Sequence, residues 1–248
     1  MLESENWRNM YKEREYRKWV KSDDLVTFEV KEAQTDLFIS ASRNLTNQAR
    51  ESILNYRKDI ERYIKKDSSF YTALEPINIS NDAPLIVRAM ADAAEKAGVG
   101  PMAAIAGAVA EFVGRDLAAF SDEMIVENGG DIFVKTRVAR RVGIYAGESS
   151  PFTGKIALEI GPDEKGLGIC TSSGTVSHSL NFGRADAVCI ISDNTALADA
   201  AATASGNAVK NRDDIEKALA IAKSIKGVKA ALIIVGDKMG TWGEIKIV

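Results

Sequence analysis

The sequence predicts an α+β fold in which mixed or antiparallel sheets pack in layers against Ala-rich helices. The first observation is the order of elements: a β-hairpin, then helices, then a strand-rich half with two more helices. This order lacks the regular alternation of strand and helix that builds a doubly wound sheet. The second is composition, since 46% hydrophobic and 27% charged residues in 248 suffice to bury a large core. We expect a single domain over 1–248, divided into a hairpin and helices (22–126) and a strand-rich half (127–248).

The first half is predicted to hold one hairpin and three helices. Asn81 or Asp82 is suited to cap the second helix, which has Pro84 in its first turn, and Gly98 to end it. The third helix is dominated by Ala, so that either another backbone or a ligand can approach it closely. The predicted elements are the hairpin strands Leu25–Val30 and Thr35–Ala41 and helices over Ser42–Lys66, from Pro84 to Ala97 and over Met102–Gly114.

The second half is predicted to consist of short strands and two helices. Asn211 or Asp213 is suited to cap the second of these helices. The expected helices are Asn194–Val209 and Asp213–Ile225, and the expected strands are Ile132–Val134, Val142–Tyr145, Lys155–Ile160, Leu167–Cys170, Ala187–Ser192, Ala230–Val235 and an edge strand at Gly243–Val248.

Several functional classes are disfavoured by composition. A net charge of −3 argues against a nucleic-acid surface. The first 21 residues mix both charge signs with aromatic residues, as in a solvated arm or edge strand whose aromatics pack on the body. Neither a signal peptide nor an apolar run long enough for a membrane span is recognisable, so we expect a cytoplasmic protein. The two cysteines lie outside any CxxC pair, and a single histidine makes a Cys/His zinc site improbable.

Two glycine turns are candidate ligand contacts. Gly98–Ala104 leads into a helix whose first amides would attract an anion such as phosphate, although a plain tight connection is at least as good an interpretation. In the second turn, Asn128, Gly129 and Gly130 precede Asp131. Asn-Gly-Gly is typical of a hairpin turn, and its glycines would equally allow a ligand to approach the backbone, with Asp131 at its edge.

A hydroxyl-rich stretch, Cys170–Ser179, is the third candidate. Short donors and acceptors beside a glycine suit a phosphate or a sugar, and His178 lies within the same stretch. A serine nucleophile with His178 as base is conceivable, but no G-x-S-x-G turn is present and no carboxylate is assigned to orient the histidine. Cys170 is either a reactive thiol or, more commonly for such a position, a buried cysteine at a strand end.

The fourth candidate is the helical segment Ala198–Ala204. Asp199 and Thr203 are four residues apart, so both side chains point from one helical face, with only methyl groups between them. A carboxylate and a hydroxyl together suit Mg²⁺, which prefers oxygen ligands and keeps several waters. Capping or back-bonding within a packed Ala helix is an equally good interpretation.

Taken together and in this order, the motifs resemble those of the ApbE superfamily. Asn128–Ile132 resembles the N-x-G-G-D-I segment of ApbE flavin transferases, Thr171–Gly174 their T-S-G segment, His178 the histidine that follows it, and Ala198–Ala204 their A-D-A-L-x-T-A helix. The resemblance implies an ApbE-like, T-fold-related architecture. It also implies that Asp199 and Thr203 are Mg²⁺ ligands, and that two segments line the ligand site. These wall residues are Asn128, Gly129, Gly130, Asp131, Thr171, Ser172, Ser173, Gly174 and His178.

A closer resemblance is to the uncharacterised branch of the superfamily, and it spans Thr35 to Gly240. G-V-G-P-M-A-A-I-A-G, C-T-S-S-G-T-V-S-H-S and F-G-R-A-D-A all resemble that branch. Two departures from the transferases count against FAD or FMN as cofactor. The glycine segment before the third helix lacks their lysine, and Ser179–Gly183 replaces their Asp-Pro-x-Thr-Gly run. The association of this branch with sulfide assimilation into homocysteine makes Cys170 a candidate sulfur carrier.

The leading functional prediction is therefore a protein that binds a phosphorylated or nucleotide-like small molecule, with Mg²⁺ as the expected cation. The sequence leaves open whether the protein is an enzyme. The enzymatic alternatives are FAD-dependent FMN transfer and a step in sulfide assimilation, with Cys170 and His178 as candidate catalytic residues. A further alternative is a non-catalytic assembly or regulatory subunit, because Ala-rich helices also suit packing against a second copy of the chain.

Overall fold

The computed structural model describes residues 24–175 and 182–248, and it confirms the α+β class. Its largest element is an eight-stranded sheet in the order β1-β2-β3-β4-β7-β8-β9-β10, in which every neighbouring pair is antiparallel. A separate hairpin joins β5 to β6. The strands are β1 Val26–Glu32, β2 Thr35–Ala41, β3 Met124–Asn128, β4 Asp131–Thr136, β5 Arg140–Gly143, β6 Ala157–Ile160, β7 Asp163–Ser172, β8 Ala187–Ser192, β9 Val228–Val235 and β10 Lys238–Gly243.

The helices lie against one face of the large sheet, where α5 is buried between two other helices and strands β7 and β8. Its Ala-rich sequence follows from that position, because only small side chains fit a helix enclosed on nearly all sides. The helices are α1 Thr46–Lys66, α2 Ser69–Thr72, α3 Leu85–Ala97, α4 Ile105–Leu117, α5 Thr195–Asn207 and α6 Ile215–Ser224, with 3₁₀ turns at Pro101–Ala104 and Arg212–Asp214.

Two hydrophobic clusters lie on opposite faces of the sheet, because side chains alternate along each strand. On β4, Phe133 belongs to the cluster beneath the helices, whereas Ile132 belongs to the other. On β8, Val188 and Cys189 alternate in the same way. The helical side carries the larger cluster, and the candidate site lies at its edge.

The second face is covered by the β5–β6 hairpin and the C-terminal residues. The prediction of an edge strand at Gly243–Val248 is wrong in its placement, because β10 ends at Gly243 and the following residues run beside β6. The Glu159 amide donates to the Lys246 carbonyl at 2.8 Å, and the Ala157 amide donates to the Val248 carbonyl at 2.9 Å. The C-terminal residues thus extend the small hairpin instead of the large sheet.

Other boundaries also differ from the prediction. The residue before α3 is Pro84, and neither Asn81 nor Asp82 caps that helix, because no side chain accepts a bond from its first amides. Gly98 does end α3, in the left-handed conformation with φ of 70°. Asn211 caps the 3₁₀ turn before α6, its side chain accepting from the Asp213 amide at 2.8 Å.

The predicted N-terminal arm, residues 1–21, lies outside the described residues. Among the described helices, none alone is both long and apolar enough to cross a membrane. Only α3 joined to Pro101–Leu117, with a 105° bend between them, meets those two criteria.

Candidate functional site

The core of the site is a row of three residues across neighbouring strands. Asn128 on β3 lies opposite Asp131 on β4, and Asp131 lies opposite Cys170 on β7. Directly opposed residues share a face of the sheet, and Cys170 packs in the cluster beneath the helices. All three side chains therefore face the helical layer. Asp131 is only 8% exposed and Cys170 is fully buried.

The Asn-Gly-Gly-Asp segment forms the predicted hairpin turn between β3 and β4. Gly129 and Gly130 have φ of 70° and 105°, values that favour glycine. The Glu127 carboxylate accepts from the Gly130 amide at 2.8 Å, and the Gly130 carbonyl accepts from the Thr171 amide at 3.2 Å. The turn is thus hydrogen-bonded to the first residue of the T-S-S-G motif, 41 positions along the chain.

Helix α5 brings the Ala-rich motif to the same place. The Cys170 thiol donates to the carbonyl of Thr195, the first residue of α5, at 3.3 Å. Burial raises the pKa of the Cys170 thiol well above its usual value, and the negative charges of Asp131 and Asp199 raise it further. Two acidic residues from different motifs therefore lie near one buried thiol. The same burial favours a packing role for Cys170, since only the thiolate is a good nucleophile.

Helices α4 and α5 cap each other. The Asp199 carboxylate, on α5, accepts from the amide of Gly107 in the first turn of α4 at 2.8 Å. In return the Glu111 carboxylate, on α4, accepts from the first amide of α5, that of Thr195, at 2.7 Å, and more weakly from Ala196 at 3.4 Å. Each carboxylate satisfies amides that a helix start leaves without an intrahelical partner, and each lies at the positive end of the other helix's dipole.

This reciprocal capping requires a glycine at position 107. A Cβ added there would lie 2.4 Å from the Thr195 carbonyl oxygen and 2.8 Å from the Asp199 Cβ, well inside contact distance. Gly107 therefore serves close helix packing, which was one of the two interpretations of the Ala/Gly helix. Gly114 on the same helix has the same role, since an added Cβ would lie 2.2 Å from the Phe133 ring.

The first turn of α4 is bonded to a carboxylate of the protein itself, that of Asp199. Hydrogen bonds from the Gly107 and Ala106 amides lower the pKa of Asp199. Burial has the larger and opposite effect and raises the Asp199 pKa to about 7. The net shift of the Asp199 pKa is upward, because burial destabilises the ionised carboxylate more than the two amide hydrogen bonds stabilise it.

Asp199 and Thr203 lie one turn apart on α5, as their spacing predicts, with Asp199 9% exposed and Thr203 half-buried. No group of three or more His, Cys, Asp or Glu residues within 24–175 and 182–248 is arranged to hold a metal. A carboxylate and a hydroxyl are too few for a closed cage. They fit Mg²⁺ nonetheless, because it is commonly bound by one or two carboxylates, waters and substrate phosphates.

The hydroxyl-rich segment is divided by the sheet. The Thr171 hydroxyl contacts the thiol of Cys189, and Cys189 packs on the face of the sheet away from the helices. The Thr171 hydroxyl therefore does not face α5. Ser172 is the next residue on the strand and faces the helical side. Ser173 is buried, and its hydroxyl lies 3.2 Å from the Thr175 amide, which donates to it. His178 lies outside the described residues.

Two features of the site escape the motif analysis. Glu111 is the only charged residue in the run Met102–Gly114, which is the signal that marks it as unusual. Thr195 is buried, and its hydroxyl has no hydrogen-bond partner among the described residues. A buried donor of this kind is uncommon in folded proteins and marks a place where the site is incompletely satisfied.

Comparison with known sequences identifies the family of the chain. A family model described as "AbpE bacteria" matches residues 17–241. The UPF0280 protein of Methanocaldococcus jannaschii is 44% identical over 203 residues, which cover 80% of this chain and 82% of that protein. The UPF0280 protein of Methanococcoides burtonii is 40% identical over 220 residues, covering 88% and 92%.

Solved structures of similar fold include flavin transferases. The flavin transferase ApbE from Vibrio cholerae matches with a TM-score of 0.59 and 14% identity, over 88% of this chain and 96% of that one. The flavinyl transferase ApbE from Pseudomonas stutzeri, in its apo form, matches with a TM-score of 0.58 and 14% identity, over 88% and 93%. At this identity the similarity establishes the fold.

Proposed function

This chain belongs to the ApbE-like UPF0280 family, and we propose that it binds a phosphorylated or nucleotide-like small molecule together with Mg²⁺. The observation that carries the proposal is the meeting of three separate motifs at one place. The Asn128–Asp131 turn, the end of β7 and the first turns of α5 are joined by hydrogen bonds between Gly130 and Thr171 and between Cys170 and Thr195.

The charge distribution supports a ligand that arrives with its cation. Asp131 and Asp199 are both nearly buried acids, so a free phosphate would be repelled by them when they are ionised. A divalent cation would neutralise that charge and so allow the phosphate to bind. Asp199 and Thr203 would hold the Mg²⁺, which would supply charge neutralisation. The exposed Gly129 leaves room for the rest of the ligand beside the turn.

Thermal denaturation in the presence of ADP, FMN or FAD tests binding directly. A ligand at 100 times its dissociation constant adds about 2.7 kcal/mol of stability, which for a chain of this size raises Tm by about 5 to 10 °C. The expected result is a rise with at least one of the three compounds in MgCl₂ and a smaller rise in EDTA. No rise with any of them in MgCl₂ would contradict the proposal.

The variant Asp199→Asn tests the role of Asp199 in binding the cation separately from its role in folding. The amide oxygen of asparagine still accepts from the Gly107 amide, whereas the negative charge that attracts Mg²⁺ is lost. We expect the variant to fold and to lose the difference between MgCl₂ and EDTA. Asp92→Asn is the matched control, because Asp92 is an exposed acid on α3 that pairs with Lys96 at 2.6 Å. An Asp199→Asn protein that keeps the full Mg²⁺ effect would exclude Asp199 as a ligand.

FMN transfer is the second candidate, favoured by the shared fold and by the N-G-G-D-I and A-D-A-A-A-T-A motifs that meet in the site. Mass spectrometry of a Ser- or Thr-containing target peptide, incubated with FAD, Mg²⁺ and the protein, would show added FMN. If FAD binds but the added mass of FMN is absent, the protein binds the flavin without transferring it, and FMN transfer is contradicted.

The remaining alternatives have equally direct tests. A persulfide on wild-type protein that disappears in Cys170→Ser would support sulfur handling, against the expectation from the buried thiol. Light scattering at several concentrations would show whether the chain assembles with itself. A concentration-independent monomer would oppose the assembly role.

A further inference from the structure

Asn128 lies at the end of β3, and its side chain reaches the start of α4. The side-chain amide of Asn128 donates through Nδ2 to the Ala106 carbonyl at 3.0 Å. That carbonyl belongs to the first turn of α4, which begins at Ile105. A carbonyl oxygen has two lone pairs, so it can accept from Asn128 in addition to its partner within the helix. A residue that the sequence assigns to the ligand wall is therefore already engaged with the protein.

The Ala106 carbonyl and the Gly107 amide are the two polar groups of one peptide unit. The Gly107 amide donates to the Asp199 carboxylate at 2.8 Å. A trans peptide unit is planar, and its C=O and N–H point in opposite directions, so Asn128 and Asp199 hold the same plane from opposite ends. Rotation of that plane would move both hydrogen bonds together. Side chains from β3 and α5 are thus coupled through a single peptide of α4.

The surroundings of this peptide strengthen the coupling. Asn128 is half-buried and Asp199 is 9% exposed, so water competes little for the two hydrogen bonds. In such an environment a hydrogen bond to the carbonyl end of a peptide polarises it and makes its N–H a better donor. Asn128 therefore both orients the Gly107 amide and strengthens its bond to the Asp199 carboxylate.

The orientation of Asp199 matters because a metal ligand is aimed by the hydrogen bonds that it makes elsewhere. The Gly107 amide holds Oδ2 of the carboxylate, and this bond determines the direction in which the whole group faces. Thr203, one turn further along α5, can share a cation with Asp199 only if the carboxylate keeps a suitable orientation. Asn128 is neutral, so it can support that orientation without adding charge to the site.

We propose that Asn128 is a positioning residue: through the Ala106–Gly107 peptide, it holds the Asp199 carboxylate in the orientation that binds the cation. The inference rests on the proposed function, in which Asp199 and Thr203 hold Mg²⁺. It gives Asn128 a role different from that of a ligand wall, because its loss weakens binding of the cation and leaves the contacts to the organic ligand intact.

Magnesium titrations of the full chain at a fixed concentration of ADP or FMN separate these two roles. The rise in Tm is followed against MgCl₂ for wild type, Asn128→Ala and Asn128→Leu, of which leucine keeps the bulk of asparagine without its donor. We expect the half-maximal MgCl₂ concentration to rise about 10- to 100-fold in both variants, which is the range for loss of a group that orients a metal ligand. At saturating MgCl₂ the rise in Tm should return to that of wild type.

Thr136→Val is the matched control. Thr136 is buried at the opposite end of β4 from Asp131, and its hydroxyl accepts from the Arg140 guanidinium at 3.1 Å. Its replacement should lower the stability of the same hairpin and leave the half-maximal MgCl₂ concentration unchanged.

Amide NMR in metal-free buffer supplies a readout that lost stability alone would not move. The Gly107 amide proton should shift upfield in both Asn128 variants, because its bond to Asp199 weakens, and it should keep its wild-type position in Thr136→Val. If Asn128→Leu does not fold, Asn128→Ala decides the result.

The remaining outcomes separate this inference from the proposed function. Wild-type protein that responds to neither ADP nor FMN at any MgCl₂ concentration contradicts both. An unchanged half-maximal MgCl₂ concentration in the Asn128 variants, or an unchanged Gly107 amide shift, overturns the positioning role alone. A loss of ligand affinity that saturating MgCl₂ does not restore would make Asn128 part of the ligand wall and would overturn that role as well.

Discussion

Replacing Gly107 by alanine should separate α4 from α5 and weaken the reciprocal caps. The added methyl would lie 2.4 Å from the Thr195 carbonyl oxygen and 2.8 Å from the Asp199 Cβ. Both neighbours belong to the first turns of α5, one of them through its backbone, so neither can rotate away as a flexible side chain would. The helices must move apart, and the 2.8 Å bond from the Gly107 amide to Asp199 lengthens as they do.

The size of the effect follows from three contributions. Overpacking of a tight core costs about 1 to 3 kcal/mol. Losing a hydrogen bond to a charged group costs about 1.5 to 3 kcal/mol. Replacing Gly by Ala within a helix returns about 0.5 to 1 kcal/mol. The expected net loss is about 2 to 5 kcal/mol, which for a chain of this length lowers Tm by about 4 to 20 °C.

Urea unfolding followed by circular dichroism measures this loss, with Gly161→Ala as the matched control. A Cβ added at Gly161 has no neighbour within 4 Å, so this variant should change stability by less than about 0.5 kcal/mol. If Gly107→Ala were as stable as Gly161→Ala, the close approach of α4 to α5 would be wrong, and with it the capping arrangement that positions Asp199.

Three further predictions concern the same buried groups. Glu111→Ala leaves two amides at the start of α5 without their acceptor, and it should lower the free energy of unfolding in urea by about 2 to 4 kcal/mol. Glu111→Gln keeps one acceptor oxygen and should lower it clearly less; equal losses in the two variants would argue against capping. In metal-free buffer, the free energy of unfolding should fall as pH rises from 3.8 towards about 7, because the folded Asp199 stays protonated while the unfolded carboxyl ionises. Urea titrations at several pH values should show a weaker dependence of unfolding free energy on pH for Asp199→Asn than for wild type. The same dependence in both proteins would contradict the raised pKa. Both Cys170 and Cys189 are fully buried with raised pKa values, so a thiol reagent at pH 8 should label neither in native protein and both after denaturation. The absorbance of the released chromophore measures the labelling, and rapid labelling of native protein would contradict the burial of the thiols.

Features decided by nearby residues were predictable from the sequence. Gly98 ends α3 because only glycine readily adopts its left-handed conformation. The Asn-Gly-Gly-Asp segment forms the expected hairpin turn because its two glycines supply positive φ. Such signals lie within a few residues of the structure that they determine, so no tertiary information was needed.

Features that depend on partners distant in the sequence were not predictable. Glu111 and Arg115 have the i,i+4 spacing of a helical ion pair and they form one, in which Arg115 is exposed and Glu111 is buried. The more important partner of Glu111 is the Thr195 amide, 84 positions away, and no local pattern points to it. In the same way, the carboxylate that accepts from the Gly107 amide belongs to Asp199, 92 positions away.

Strand identity at the end of the chain depended on pairing instead of composition. The segment Lys238–Gly243 contains two glycines and little apolar character, yet it forms β10 because β9 offers an open edge. An added Cβ at Gly240 would lie 2.5 Å from Ile215 Cγ2, so the glycine is what allows α6 to pack there. The more strand-like residues 244–248 pair with β6 instead, a choice that only the tertiary structure reveals.

Crystals grown with ADP or FMN and with Mn²⁺ in place of Mg²⁺ would locate the ligand and the cation together. We expect an anomalous peak within coordination distance of the Asp199 carboxylate and the Thr203 hydroxyl, with ligand phosphate completing its shell beside the Asn128–Asp131 turn. A bound ligand whose phosphates and Mn²⁺ lie elsewhere, with Asp199 still bonded only to α4, would contradict it and leave Asp199 as a helix cap alone.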